Sequence, residues 1–124
     1  SVNQLTIVIP LPPKALHPNA RPHWAAKARA AKQSRYDAMC CALEATGGDR
    51  PEWEAAIVHV RWYGRDKRCL RLDTTNAEAS LKASIDGLTD AGIWKDDRWV
   101  RIADLTIEVD RDNPRVELVC ERAD

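Results

Sequence analysis

The apolar residues of this chain change spacing from two to about three and a half and back, twice, and this limits the folds open to it. Leu5, Ile7, Ile9 and Leu11 alternate along a first predicted strand, stopped by Pro12-Pro13. A loop with Pro18, Asn19 and Pro22 follows. From about His23 to Thr46 the chain is rich in Ala, Lys, Arg, Gln and Glu, all good helix formers. Tyr36, Met39 and Leu43 give that helix its apolar stripe, and Gly47-Gly48 ends it. Ala56, Val58, Val60 and Trp62 alternate with Ile57, His59, Arg61 and Tyr63 in a second strand. A second helix is expected from about Asn76 to Asp90, with Leu81, Ile85 and Leu88 at i, i+4 and i+7. Leu105, Ile107 and Val109 alternate as a third strand, Asp110 to Pro114 reads as a turn, and Val116, Leu118 and Cys120 alternate as a fourth strand. The order β-α-β-α-β-β predicts an α+β domain, with two helices covering one face of a mixed four-stranded sheet.

A chain of 124 residues is one domain with one core, and no repeat, linker or low-complexity tract divides residues 1–124. Hydrophobic content of 44% and charged content of 31% suit a soluble globular protein. No apolar run approaches the roughly 20 residues of a membrane helix, and no secretory signal is visible, so a cytoplasmic setting is expected. Cys40, Cys41, Cys69 and Cys120 match no zinc spacing, because adjacent Cys40 and Cys41 point to different sides of a helix. Free thiols are expected in a reducing compartment.

Charge is balanced overall but unevenly spread. Residues 1–72 hold 12 Lys/Arg and 6 Asp/Glu, a net of +6; residues 73–124 hold 7 and 13, a net of −6. No acidic residue occurs from Ser1 to Tyr36. A basic half can meet a polyanion while an acidic cluster holds metal. Equally, the halves can neutralise each other across the fold.

The acidic residues concentrate around the second predicted helix. Asp73 precedes it; Glu78, Lys82 and Asp86 follow at i, i+4 and i+8; Asp96-Asp97 lies beyond it. Carboxylates at both ends of one element suit a hard divalent cation such as magnesium, and the lysine suits a phosphate. Each feature also has a plainer reading. Thr75 and Glu78 fit the Thr-x-x-Glu capping box. Glu78, Lys82 and Asp86 fit a solvated charge ladder worth a few tenths of a kcal/mol per pair. Asp96-Asp97 fits a polar turn after Gly92, and Trp94 and Trp99 fit core packing rather than base stacking. His17 and His23 lie in a Pro-rich loop without a partner motif and receive no catalytic role.

Order adds meaning to these parts. Leu11-Pro12-Pro13 through His23-Trp24 leads into a basic helix; then come Asp73-Thr74-Thr75-Asn76, Lys82-Ala83-Ser84-Ile85-Asp86-Gly87-Leu88, Gly92 and Asp96-Asp97. From about Leu5 to Val109 this series resembles the RusA-type Holliday junction resolvases, especially those of phages and prophages. The resemblance implies a small mixed α/β domain that works as a homodimer in the cytoplasm of a bacterial or phage-infected cell. It implies paired cutting of four-way DNA junctions with magnesium held by aspartates. By position, Asp73 matches the first metal-binding aspartate and Asn76 the asparagine of the motif. Asp97, with Asp96, matches the acidic pair, and Lys82 matches the active-site lysine. Phosphate contacts are then expected from Lys14, Arg21, Lys27, Arg29, Lys32, Arg65, Lys67 and Arg68, with branched shape rather than base sequence as the feature recognised.

One departure stands out. The family reads Asp-x-Asp-Asn, whereas here Thr75 replaces the second aspartate. Threonine can cap a helix but offers no anionic oxygen, so metal affinity should fall. Glu78, one turn further, is the candidate substitute. Three readings follow: a magnesium-dependent resolvase, a weakened relative that binds junctions without cutting them, and a cytosolic domain for a protein partner. Either nuclease-derived reading requires Asp73, Glu78 and Asp97 to meet at one pocket.

Overall fold

A computed structural model describes residues 2–124. Strand β1 (Gln4–Ile9) is followed by helix α1 (Trp24–Thr46), strand β2 (Ala56–Gly64), helices α2 (Thr74–Ser80) and α3 (Lys82–Asp90), and strands β3 (Val100–Val109) and β4 (Arg115–Arg122). The sheet order is β1-β4-β2-β3. β4 runs antiparallel to β1 and β2, and β3 runs parallel to β2. The α+β class and the mixed four-stranded sheet are as the hydrophobic spacing predicts. The Asp110–Pro114 turn, however, closes no hairpin: β4 passes over the end of β2 and inserts beside β1. Arg115 secures that passage, donating to Asp110, Glu117 and the Asn113 carbonyl at 2.8 Å each, with its guanidinium 4.0 Å above the Tyr63 ring.

One face of the sheet is buried beneath α1 and α3. Ile7, Ile9, Val58, Val60, Trp62, Val116, Leu118 and Cys120 line it, the inward positions expected from period two. Burial of its thiol in this layer pushes the Cys120 pKa up to about 12. Two helical expectations change. The stripe of α1 is not led by Tyr36, which is 59% exposed; Ala38 and Ala42 are the buried positions, with Met39 and Leu43 half-buried beside them. Small side chains win there because α3 approaches closely. A Cβ on Gly87 would lie 2.2 Å from the Arg35 carbonyl oxygen and 2.9 Å from the Ala38 Cβ. The helix expected over Asn76–Asp90 is also broken in two at Leu81 (φ −92°, ψ −1°). There Leu81 N–H bonds Glu78 O three residues back, and the Ser80 hydroxyl takes the Ala77 carbonyl at 2.6 Å. Such local side-chain bonds compete with the regular helix ladder. Across the break, Ala77, Ser80, Leu81, Ser84 and Leu88 all face inward, keeping the stripe of a continuous helix.

The other sheet face is polar and carries a three-strand clamp. His59 of β2 lies between Asp104 of β3 and Glu121 of β4. Its Nδ1 meets Asp104 and its Nε2 meets Glu121 at 2.7 Å. Both nitrogens donate only when the imidazole is protonated. Hydrogen bonds to Glu121, then to Asp104, raise its pKa above the ordinary 6.5. A raised value means the stabilisation is complete below pH 6.5 and is lost as pH rises through the elevated value. The melting temperature should therefore fall as the pH rises above 6.5, by an amount that His59→Gln removes. A parent and variant with identical slopes in thermal scans would show that the clamp contributes nothing.

Candidate functional site

The crossover from β2 to the parallel strand β3 delivers every acidic residue singled out by the motif. After Gly64 the chain makes a 3₁₀ turn over Lys67–Arg71, capped by Asp66. Arg68 donates to Asp66 from its backbone N–H at 2.9 Å and its guanidinium at 2.7 Å. These bonds hold the Asp66 carboxyl down to about 2. Leu72 then tucks inward, and Asp73 becomes the N-cap of α2: the N–H groups of Thr75 and Asn76 donate to its Oδ1 at 2.8 and 3.2 Å. The capping box expected from Thr75 and Glu78 therefore does not form, because Thr75 already lies inside the first turn. Aspartate caps at least as well as threonine, and its charge suits the positive end of the helix dipole.

Lys82 is the centre of the cluster. Its Nζ lies 3.8 Å from Asp86 and 4.0 Å from Asp97. The side chain stands between two hollows. One groove is lined by Thr75, Glu78, Ala79, Lys82, Ile85 and Ile102. A cleft of about 350 Å³ on the other side is lined by Leu16, Pro18, Lys27, Ala31, Lys82 and Asp86, among others. Behind them, Arg35 of α1 grips Asp90 with two bonds of 2.6 and 2.8 Å. That grip lowers the Asp90 pKa and raises that of Arg35, to which the charges of Asp86 and Asp97 also contribute. Helix α1 is thus tied to the acidic cluster by charge as well as by packing.

The candidate ligands gather only in part: of Asp73, Glu78 and Asp97, only Glu78 lines either hollow beside Lys82, so the single shared pocket expected of the three is not formed. Glu78 shares a groove with Thr75 and Lys82, and Asp97 meets Lys82 from the turn Asp97–Trp99. Asp73 commits one oxygen to the start of α2. Asp96 is engaged elsewhere: it caps the Asp97–Trp99 turn and accepts from the Arg98 backbone and guanidinium, each at 2.9 Å. Those bonds, the backbone one first, hold its carboxyl below the usual range. Among the described residues no three His, Cys, Asp or Glu side chains stand close enough together to hold a metal unaided. Asp86, read from sequence as the i+4 neighbour of Lys82 in a charge ladder, is one of the two acids that reach the ammonium. Its signal was the i, i+4 step from Lys82. The Arg35–Asp90 pair carried no local signal, since 55 residues separate its members.

The basic residues sort clearly. Lys14, Arg21, Lys27, Arg29, Lys32, Arg65 and Lys67 are exposed and have no carboxylate within 4.0 Å among the described residues. Arg68 differs, being held by Asp66. Neutralisation between the halves of the chain is confined to a few contacts, such as Arg35–Asp90 and Lys95–Glu54. The two tryptophans beside the acidic pair also part ways. Trp94 is buried and donates to the Thr89 hydroxyl at 2.7 Å, whereas Trp99 is 63% exposed and lies outside the core expected for it. Among the described residues no helix is long and apolar enough to cross a membrane. No protein-family model and no curated protein matches this chain.

The capping role of Asp73 can be measured. Asp73→Ala should cost about 1 kcal/mol of stability by removing the cap, whereas Asp73→Asn, which caps as well, should cost far less. Chemical denaturation of both variants measures this, and equal losses would remove Asp73 from the capping role.

Proposed function

We propose that this chain is a magnesium-dependent endonuclease acting as a homodimer on four-way DNA junctions, the activity implied by its resemblance to the RusA-type resolvases. The observation that carries the reading is Lys82: an exposed ammonium shared by Asp86 and Asp97, on the ridge between a groove with Glu78 and a cleft that Lys27 enters. Presented with a phosphodiester, the ammonium can turn to a non-bridging oxygen and offset the charge that builds there during hydrolysis. Seven exposed cations without acidic partners supply contacts to the DNA backbone, a binding mode that is sensitive to salt and blind to sequence. They also favour DNA over a protein partner, for which no matching apolar surface need be assumed.

The donors do not share one pocket, so magnesium could bind here only loosely, bridged by substrate and water. Asp73, Glu78 and Asp97 offer hard, solvent-accessible oxygens without a closed cage, which suits an ion that keeps much of its water and takes one or two carboxylates together with substrate phosphate. Bound magnesium would lower the pKa of an attacking water and stabilise the leaving oxygen. The chain's own contribution is to fix the scissile phosphate beside Lys82 and to hold Asp97 on the short turn before β3. Thr75 weakens the site, since it stands on the groove wall without an anionic oxygen. The second reading, a junction-binding relative that cuts poorly, draws on the same residue.

Incubation of a labelled four-way junction with protein and magnesium, with linear duplex as control, tests the proposal. The parent should bind the junction more tightly than the duplex and cut it slowly. Asp97→Asn should abolish cutting and leave binding intact. Thr75→Asp should raise both the cutting rate and the rise in melting temperature caused by magnesium, because a ligand held only by the folded state stabilises it. No cutting by either the parent or Thr75→Asp would leave the binding reading in its place. Equal affinity for junction and duplex would overturn both.

A further inference from the structure

The N-terminus of α1 presents an aromatic side chain that the nuclease reading leaves unused. Trp24 is 77% exposed, the most exposed large hydrophobic side chain described. A lone surface apolar group is ordinary, but this one is held in place. Its ring lies against His23, with centroids 5.4 Å apart and planes tilted by 34°. His23 is itself fixed as the N-cap of α1, where the Ala25 N–H donates to its Nδ1 at 3.2 Å. That bond occupies one of the helix's first N–H groups, so the flat indole, rather than the helix end, is the distinctive surface here.

The electrical setting is equally distinctive. Arg21 and Lys27 flank Trp24 in the chain, both exposed and free of carboxylate partners among the described residues. No acidic residue precedes Asp37 in the sequence. Lys27, one helical turn from Trp24, lines the cleft shared with Lys82 and Asp86. Asp86 would repel a phosphate there, and Lys82, at 3.8 Å, offsets it. A largely exposed aromatic ring with an unpaired cation three residues away on either side in the chain matches the chemistry of single-stranded nucleic acid: a base stacks on the ring while neighbouring phosphates meet the cations.

We propose that Trp24, propped by His23 and flanked by Arg21 and Lys27, is a stacking platform for an unpaired nucleobase. This rests on nucleic acid being the polyanion of the proposed function, and it adds a subsite for the unstacked bases of branched or single-stranded DNA. The platform lies outside the carboxylate cluster and is no part of the hydrolytic machinery.

The test uses the full chain and a fluorescein-labelled oligothymidylate of about 15 nucleotides, with a blunt duplex of the same length as control. Trp24→Ala should weaken oligothymidylate binding about tenfold or more and leave duplex binding and melting temperature unchanged. Trp24→Phe should restore most of the affinity. Indole fluorescence of the parent should be quenched by the oligonucleotide, and Trp24→Phe should lose most of that quenching. The platform is overturned if the parent fails to bind oligothymidylate at low salt, or if Trp24→Ala binds it as the parent does. It is also overturned if duplex binding falls equally. Loss of binding to phosphatidylserine vesicles, with oligothymidylate binding unchanged, would assign the face to a membrane surface and reject the proposal. Tight, Trp24-dependent oligothymidylate binding by a protein that never cuts junctions would sink the nuclease reading and keep the platform. Normal junction cutting with Trp24-independent binding would do the reverse.

Discussion

The close contact of α1 with α3 is the constraint on which the rest of the molecule depends. At Gly87 the two helix backbones approach so nearly that a single added carbon would strike the Arg35 carbonyl. Overpacking at such a point costs on the order of 1–3 kcal/mol. The contact fixes α3, and α3 carries Lys82, Asp86 and Asp90. It also brings Arg35 of α1 to Asp90, so the packing contact and the ion pair reinforce each other along one seam. Without it, the basic helix and the acidic crossover would have no defined relation.

The acidic crossover shows how one residue type divides its labour. Asp66, Asp73 and Asp96 each accept backbone N–H groups at the start of a turn or helix. Such caps satisfy donors that helix geometry leaves orphaned, and they determine where each short element begins. Asp86 and Asp97 cap nothing and instead face Lys82. The centre of the cluster is thus a lysine with two acids, framed by acids that shape the chain. A site assembled in this way is open to solvent, which suits a large polyanionic substrate better than a small enclosed one.

The basic side of the molecule follows a different rule. Its lysines and arginines are spread along α1 and the loops before it and after β2, and most keep no acidic partner among the described residues. Exposed, unpaired cations are poor contributors to stability and effective at attracting phosphates. Their freedom shows that this face does not merely balance the opposite half of the chain.

Strand alternation and helix composition were enough to determine the fold class, the four strands and the inward positions of the sheet, because period two is imposed locally by the pleat. The stop of α1 at Gly47 was legible for the same reason: a left-handed φ of 65° there is a local demand that glycine meets. The insertion of β4 beside β1 was not legible, since register between distant strands leaves no mark on either one alone. The use of Ala38 and Ala42 in place of Tyr36 was decided by how near α3 could come to α1, and the break at Leu81 by local bonds of Ser80 and Leu81 that the apolar spacing does not reveal. For the site, the sequence by itself determined which acids and which lysine lie on the crossover. Only the tertiary structure decided their parts. It turned Asp73 into a cap and Asp96 toward Arg98, aimed Asp86 and Asp97 at Lys82, and left Trp24 bare. Those outcomes depend on distances between residues far apart in the chain, which only packing sets.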